Sequence, residues 1–168
     1  MDPNAYRQMA ETEAHHWWFT GRRSILRAVL SGISLPEEPR ILEIGCGSGG
    51  NLELLSQFGK VKAMELDDDA RSIAKERTNN RIDIQPGSCP SNIPYDSGSF
   101  DLVCLFDVLE HIDNDSDTLV AVSNLLDRGG QGLITVPAFS GLWSRHDEFL
   151  HHYRRYNAQE LRSKINAA

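Results

Sequence analysis

The chain has 168 residues, 40% hydrophobic and 24% charged, which is typical of one ordinary globular domain rather than a disordered or fibrous protein. Its net charge of −7 argues against nucleic acid or an anionic membrane surface as the main partner, because both require a basic surface, and favours a small molecule. Three cysteines without C-x-x-C spacing, a polar N-terminus and the lack of a long apolar run predict reduced thiols in a cytoplasmic protein.

The first 36 residues are predicted to form a helical N-terminal cap. Residues 4–16 are typical of a polar helix, and residues 20–31 have the apolar spacing of a second helix, which Gly32 ends. The cap carries the aromatic run HHWWF, which either joins the two helices or closes over a ligand.

Residues 40–137 are predicted to form a parallel sheet, because short apolar strands alternate there with amphipathic helices. The first helix is expected to carry Leu52, Leu54, Leu55 and Phe58 and to end at Gly59. A second helix is expected to start at Asp67 to Asp69, and a third to span residues 114–127. Strands are expected at residues 40–44, 61–65, 81–84, 100–106 and 132–136.

Residues 138–168 follow the last predicted strand and complete a single domain of residues 1–168. The segment from 143 to 156 is rich in histidine, arginine and aromatic side chains, which are costly to leave in water, so we expect a lid on the acceptor side. Arg154 and Arg155 would favour an anionic group on that acceptor. Asn157 caps a final helix over residues 158–167.

A glycine-rich turn follows strand 1, and such a turn lets the backbone approach a ligand at the start of a helix. Gly45, Gly47 and Gly50 fit the dinucleotide pattern G-x-G-x-x-G. Glu43 instead favours a ligand with a cationic ammonium, since a carboxylate would repel a pyrophosphate. Glu65, at the end of strand 2, suits the ribose hydroxyls of either ligand. Spacing therefore leaves two cofactors open.

Five strings occur in the order typical of one superfamily: ILEIGCGSGG, VKAMELD, IPYDSGSFDLV, FDVLEHI and LLDRGGQGLITVP. Over residues 40–137 the chain resembles the class I S-adenosylmethionine-dependent methyltransferases, and its flanks HHWWFTGRR and LWSRHDEFLHHYRRY resemble a bacterial branch of them. The resemblance implies a Rossmann-like, doubly wound α/β sheet with five parallel strands in the order 3-2-1-4-5. It also implies methyl transfer to a small acceptor, with S-adenosylhomocysteine as product.

The superfamily's strands 6 and 7 have no counterpart in this sequence. The resemblance therefore implies a shortened chain, and strand 5 is expected to be an unprotected edge that favours a homodimer. A cofactor-binding module without turnover stays open beside the enzyme, as does a nicotinamide-dependent oxidoreductase.

The resemblance also implies the residues of the cofactor site. Ser88 stands where relatives usually have an acidic residue that accepts the adenine amino group, which predicts weaker binding. Arg22 or Arg23 is expected to reach the cofactor carboxylate. The implied residues are Glu43, Gly45, Cys46, Gly47 and Gly49 at the methionine end, Glu65 at the ribose, Leu66, Ser88 and Cys89 at the adenine, and Phe106 and Asp107 beside the sulfonium and acceptor.

Asp107, Glu110 and His111 are spaced to share one face of a helical turn. Three interpretations stay open: a structural brace after strand 4, a general base at His111, or a metal site. The D-x-x-E-H pattern resembles the E-x-x-E-H metal site of certain small-RNA and ubiquinone-pathway methyltransferases, although the first Glu is Asp here. The candidate catalytic residues are His111 and His146, and a further metal ligand would come from His146, His151 or His152.

Overall fold

The computed structural model describes residues 10–13 and 15–168. Most of the expected helix over residues 4–16 lies outside the described residues. Its described residues 10–13 are helical. No described helix is long and apolar enough to cross a membrane. All three cysteines are free thiols.

From residue 17 onward, strands and helices mostly alternate along the chain. Two short 3₁₀ turns, Leu109–His111 and Ser140–Leu142, follow β4 and β5. The elements are α1 (Trp17–Gly32), β1 (Arg40–Ile44), α2 (Leu52–Leu55), β2 (Lys60–Glu65), α3 (Asp68–Arg77), β3 (Asp83–Pro86), β4 (Phe100–Phe106), α4 (Asp115–Leu125), β5 (Leu126–Thr135), α5 (Arg145–Phe149) and α6 (Ala158–Ala167).

The five strands form one sheet in the order β3-β2-β1-β4-β5, and every neighbouring pair is parallel. The predicted fold class is confirmed. In such a sheet the strand order reverses between β1 and β4, and ligands bind outside the carboxyl ends of the strands at that point. β5 is an edge strand within the described structure. Its pairing with a second copy of the chain stays a prediction.

The core lies on both faces of β1 and β4, because successive side chains of a strand point to opposite faces. On one face Ile41 packs with Leu26 and Leu30 of α1. On the other face Leu42 packs with Val122 and Leu125 of α4. Burial of each such side chain contributes about 1.5–3 kcal/mol, so this packing holds α1 and α4 on opposite faces of the sheet.

Two predicted helix starts are confirmed by their caps. Asp67 accepts hydrogen bonds from the backbone N–H groups of Asp69 and Ala70, each at 3.0 Å, and α3 begins directly after it. Asn157 accepts from the N–H of Glu160 at 2.8 Å and caps α6. These side chains satisfy donors that a helix leaves unpaired in its first turn.

The predicted start of β5 at residue 132 is wrong, since the strand begins at Leu126 directly after α4. Gly130 permits this, because a Cβ there would lie 3.0 Å from the carbonyl oxygens of both Asp127 and Phe100. The register between β4 and β5 also shifts between Phe100 and Leu102. The glycine pair therefore forms an irregularity inside the strand and does not precede it.

Two other expectations were also wrong. β3 runs over Asp83–Pro86 and not 81–84, because Asn79 and Asn80 take positive φ values of 51° and 54° and prolong the turn after α3. The helix after the glycine turn is only Leu52–Leu55, and turns follow it up to Gly59.

Candidate cofactor and acceptor site

The glycine turn begins where β1 ends. Gly45 has φ +67°, and a Cβ there would lie only 2.7 Å from Cγ2 of Val108, so no larger residue fits. Gly47 has φ +53°, with no atom within 4 Å of the position of a Cβ. One side of the turn is therefore closed by Val108, and space remains open at Gly47.

Glu43 lies at the end of β1 with only 1% of its surface exposed. Asn51 Nδ2 donates to its Oε1 at 3.1 Å, whereas Oε2 has no hydrogen-bond partner among the described residues. Burial raises the pKa of Glu43 to about 8. A buried, unpaired carboxyl oxygen is unfavourable by itself, and a cationic ligand group would relieve that cost.

Glu65, at the end of β2, braces the glycine turn. Its Oε2 accepts from the N–H of Gly47 at 2.8 Å, and its Oε1 accepts from the N–H of Asp67 at 2.9 Å. Each carboxylate oxygen keeps a second lone pair, so the predicted bond to ribose hydroxyls is compatible with these contacts. That role stays a prediction.

The residues expected at the adenine differ in exposure. Leu66 is 70% exposed, which leaves its side chain open to pack against a planar ring. Ser88 exchanges two backbone hydrogen bonds of 2.9 Å with Asn92, and Cys89 packs against the apolar core, where burial raises its pKa to about 12. Cys46 is also buried in the core, so its backbone is what it offers to a ligand.

Phe106 is buried in the core at the end of β4, and Asp107 follows it with φ +56°. Positive φ is uncommon for a residue other than glycine and is found often at functional sites. Asp107 Oδ2 lies 2.6 Å from Arg22 Nη1, and its Oδ1 accepts from Thr135 Oγ1 at 3.0 Å. Arg22 also donates to Thr135 Oγ1 at 3.0 Å. α1 is therefore tied to the carboxyl ends of β4 and β5.

Arg23, unlike Arg22, does not contact Asp107. It lines a cavity of about 410 Å³ with Gly49 and Gly50, on the side of α1 that faces the glycine turn. Among the residues that the structure describes, no hydrogen bond or ion pair engages its guanidinium. Of the two arginines expected to reach a ligand carboxylate, Arg22 is thus held by Asp107 and Arg23 is uncommitted.

Glu110, His111 and His152 form a cluster, which we call the E-H-H cluster. One ligand atom from each residue lies within 4.8 Å of the other two. Glu110 is 1% exposed and neither carboxyl oxygen has a partner in the described structure, and burial raises its pKa to about 8. The rings of His111 and His152 meet edge to face at 4.6 Å, and burial lowers the pKa of His111.

The family of the chain follows from its sequence and this geometry together. Residues 42–134 match the family model described as a methyltransferase domain. The chain belongs to the methyltransferase domain family. The members use S-adenosylmethionine as cofactor.

The curated relatives of this methyltransferase domain include ubiquinone biosynthesis O-methyltransferases. The one from Nitrosococcus oceani is 31% identical over 144 residues, covering 78% of this chain and 60% of the relative. The one from Aromatoleum aromaticum is 26% identical over 142 residues, covering 77% and 60%. The chain thus spans about 60% of the length of these relatives.

A solved structure shows the same fold. Phosphoethanolamine N-methyltransferase 2 of Haemonchus contortus, in complex with S-adenosyl-L-methionine, superposes with a TM-score of 0.69 at 22% identity. The match covers 84% of this chain and 36% of that chain.

The residues of the methyltransferase domain fit S-adenosylmethionine rather than a dinucleotide. Oε2 of Glu43 is buried without a partner among the described residues, and the cationic amino group of the methionine would stabilise its carboxylate form, which a pyrophosphate would not. The open space at Gly47 lets a ligand approach the backbone. The spacing of the glycines left S-adenosylmethionine and a dinucleotide open. The carboxyl group of Glu43 and the family of the chain favour S-adenosylmethionine.

The E-H-H cluster contains one of the three histidines that the D-x-x-E-H pattern left open. His152 joins His111 and Glu110, whereas His146 is exposed on α5 and is not part of the cluster. A catalytic role for His146 stays a prediction that this geometry does not support.

The expectation that Arg154 and Arg155 recognise an anionic acceptor stays a prediction that the described contacts do not favour. Arg154 Nη1 lies 2.9 Å from Asp115 Oδ2, and Arg155 Nε lies 2.7 Å from Asp147 Oδ1. Both guanidinium charges are therefore compensated within the chain. Apolar side chains of the lid segment stay exposed instead: Leu142, Trp143, Phe149 and Tyr153.

Three residues of the site were missed by sequence reasoning. Asn51 binds Glu43, Thr135 binds Asp107, and Val108 closes one side of the turn. The residue types carry no pattern that marks these contacts. Only the parallel pairing of β1, β4 and β5 brings them together.

Proposed function

We propose that this methyltransferase domain transfers a methyl group from S-adenosylmethionine to a hydroxyl oxygen of a small, largely apolar acceptor. The observation that carries the proposal is the E-H-H cluster, which brings together three groups able to accept or donate a proton. Two of them, Glu110 and His111, follow Asp107 by three and four residues. The curated relatives described above are named O-methyltransferases, which supports oxygen as the acceptor atom.

When bound, S-adenosylmethionine supplies a methyl group on a sulfonium, whose displacement leaves a neutral thioether. The chain's own residues mainly align the reactants and exclude water, and alignment alone can be worth effective molarities of ~10⁵–10⁸ M. Glu43 and the glycine turn hold the methionine end, while Asp107 lies at the carboxyl end of the central strand β4. The exposed apolar side chains of the lid suit the body of an apolar acceptor.

A hydroxyl acceptor must lose its proton as the methyl group arrives. The lowered pKa of His111 keeps its imidazole neutral at pH 7, so it can accept this proton. Glu110, with a pKa of about 8, is mostly protonated at pH 7 and is a hydrogen-bond donor there. A positioned base of this kind contributes roughly 10²–10⁴ in rate.

The E-H-H cluster also suits a divalent cation, because one carboxylate and two imidazoles are ligands that transition metals bind in proteins. A cation held there would supply charge that stabilises the deprotonated hydroxyl. Glu110 would then have to release its proton, so metal binding would strengthen as the pH rises toward 8.

The test uses S-adenosylmethionine with an isotopically labelled methyl group and a panel of phenols, amines and thiols, with and without chelator. We expect label on a phenolic oxygen, and a loss of roughly 10²–10⁴ in rate for His111→Gln. Loss of activity with chelator would favour the cation over the general base. Label on nitrogen alone would contradict the proposal. Cofactor binding without transfer to any acceptor would favour a binding module.

A further inference from the structure

Asp147 is a buried carboxylate in the lid that none of the roles above requires. It lies in α5 with 0% of its surface exposed, and donors surround it. Its Oδ2 accepts from Ser144 N at 2.8 Å, Ser144 Oγ at 3.2 Å and Arg155 Nη2 at 2.9 Å. Its Oδ1 accepts from Arg155 Nε at 2.7 Å and lies 3.0 Å from Nδ1 of His152.

This surrounding keeps Asp147 ionised. Arg155 contacts both carboxylate oxygens of Asp147, with Nε 2.7 Å from Oδ1 and Nη2 2.9 Å from Oδ2. A buried carboxylate is stable only when it is paired and hydrogen-bonded in this way. Asp147 therefore accepts hydrogen bonds and does not donate them.

The carboxylate of Asp147 determines which ring nitrogen of His152 carries the hydrogen. A neutral imidazole carries its hydrogen on one nitrogen and a lone pair on the other. Because the carboxylate of Asp147 faces Nδ1, the hydrogen must be on Nδ1. Nε2 is then the nitrogen of His152 that keeps a lone pair, and His152 is a member of the E-H-H cluster.

We infer that Asp147 is a positioning residue: together with Arg155 it fixes His152 as the Nδ1–H tautomer and directs the Nε2 lone pair toward Glu110 and His111. That this lone pair serves methyl transfer rests on the proposed function, whereas the tautomer itself does not. The Nδ1–H tautomer suits both proton abstraction and cation binding by the cluster, because a general base and a metal ligand both need the lone pair on Nε2.

A purely structural role explains only part of these contacts. Ser144 and Asp147 form a capping box that starts α5, and Arg155 neutralises the buried charge. Neither of these functions needs His152. The side chain of His152 is nearly buried beside Asp147, and its ring also packs against His111, so it connects the capped helix to the cluster.

Asp147→Asn reverses the expected tautomer. Oδ2 faces three donors and Oδ1 faces one besides His152, Arg155 Nε, so the amide oxygen of the asparagine takes the Oδ2 position. The amide NH₂ then faces Nδ1 of His152, which has to accept a hydrogen bond and move its hydrogen to Nε2. Loss of the correct tautomer is how the same substitution acts in Ser-His-Asp enzymes.

The experiment is ¹⁵N NMR of the full chain with labelled histidine, with the His152 resonances assigned by their loss in His152→Gln. We expect Nδ1–H in the wild type and Nε2–H in Asp147→Asn. In the methyl-transfer assay we expect a loss of at least ~10² in kcat for Asp147→Asn, with KM little changed. The matched control is Asp113→Asn, because Asp113 is an exposed acid that binds Arg154 and lies outside the cluster. It should leave both the tautomer and the rate unchanged.

Two results would overturn the inference. One is an Nε2–H tautomer in the wild type, which needs no variant and so cannot be confused with a folding defect. The other is retention of Nδ1–H in a folded Asp147→Asn protein. If the tautomer reverses but no acceptor is methylated, the proposed function fails and the positioning by Asp147 stands.

Discussion

At the residue scale, two buried glutamates control the charge of the site. Glu43 and Glu110 each have a carboxyl oxygen without a partner in the described structure, and burial raises the pKa of each to about 8. Both are therefore mostly neutral at pH 7 in the free protein. An arriving cation, the ammonium at Glu43 or a metal at Glu110, changes that balance.

Glu110 is predicted to make stability depend on pH. In the unfolded chain a glutamate titrates near 4.5, whereas in the folded chain the pKa of Glu110 is about 8. Between these values the folded state binds more protons, so stability falls as the pH rises, by on the order of 1.4 kcal/mol for each pH unit fully within that range. Glu110→Gln should remove this loss and be more stable than wild type at pH 8.5.

The measurement is urea unfolding at pH 5 and pH 8.5. Glu53→Gln is the control, because Glu53 is exposed and pairs with Arg81 at the surface. If Glu110→Gln is destabilised equally at both pH values, Glu110 has a structural hydrogen bond that the described contacts do not contain.

Glu43 is predicted to lose its proton when S-adenosylmethionine binds. At pH 7 its carboxyl group is mostly protonated, and the ammonium of the cofactor stabilises the carboxylate. Calorimetry in two buffers with different ionisation enthalpies should therefore detect proton release. Glu43→Gln keeps the shape and the acceptor for Asn51 but has no proton to release. Equal release from the variant and the wild type would assign the proton to another group.

At the element scale, Arg22 is predicted to fasten α1 over the site. Packing of Leu26 and Leu30 keeps the second half of α1 on the sheet, whereas its first half depends on the contacts of Arg22 with Asp107 and Thr135. Arg22→Ala should raise hydrogen exchange at the start of α1 by a few-fold, as expected for a partly exposed ion pair worth up to ~1 kcal/mol. Arg23→Ala is the matched control, and equal effects of both variants would contradict this role.

The elements differ in how far the sequence determines them. β1 and β4 have their predicted bounds, because each is an apolar run between clear breaks and is buried on both faces. β5 begins six residues before the predicted residue 132, because a glycine pair inside a paired strand has the same sequence pattern as a turn.

The site was predictable where its residues are close in sequence. The spacing of Asp107, Glu110 and His111 indicated a shared face, and the structure brings Glu110 and His111 together, whereas Asp107 pairs with Arg22 outside the cluster. His152 could not be chosen from three histidines, since the choice depends on how Asp147 and Arg155 fold the lid. The raised pKa values of Glu43 and Glu110 depend on burial, which spacing does not give.

At the scale of the whole molecule, Asp147, Arg154 and Arg155 of the lid form ion pairs within the chain. Asp115 and Asp147 bind Arg154 and Arg155, and Asp115 also accepts from Lys164 of α6 at 2.9 Å. The lid is thereby joined to α4 and α6, while Leu142, Trp143, Phe149 and Tyr153 are among its exposed side chains. A ligand of this surface is expected to be held by contacts with apolar groups rather than by ion pairs.

Cofactor binding is predicted to stabilise the whole domain. A ligand that binds only the folded state contributes about 2.7 kcal/mol at a concentration 100 times its Kd. For a domain of this size each kcal/mol raises Tm by about 2–4 °C, so S-adenosylmethionine should raise Tm by roughly 5–11 °C. NAD should produce no shift, because the members of this family use S-adenosylmethionine as cofactor. Gly47→Ala places a methyl group in the open space beside the turn and should reduce the shift. A shift with NAD and none with S-adenosylmethionine would contradict the cofactor assignment.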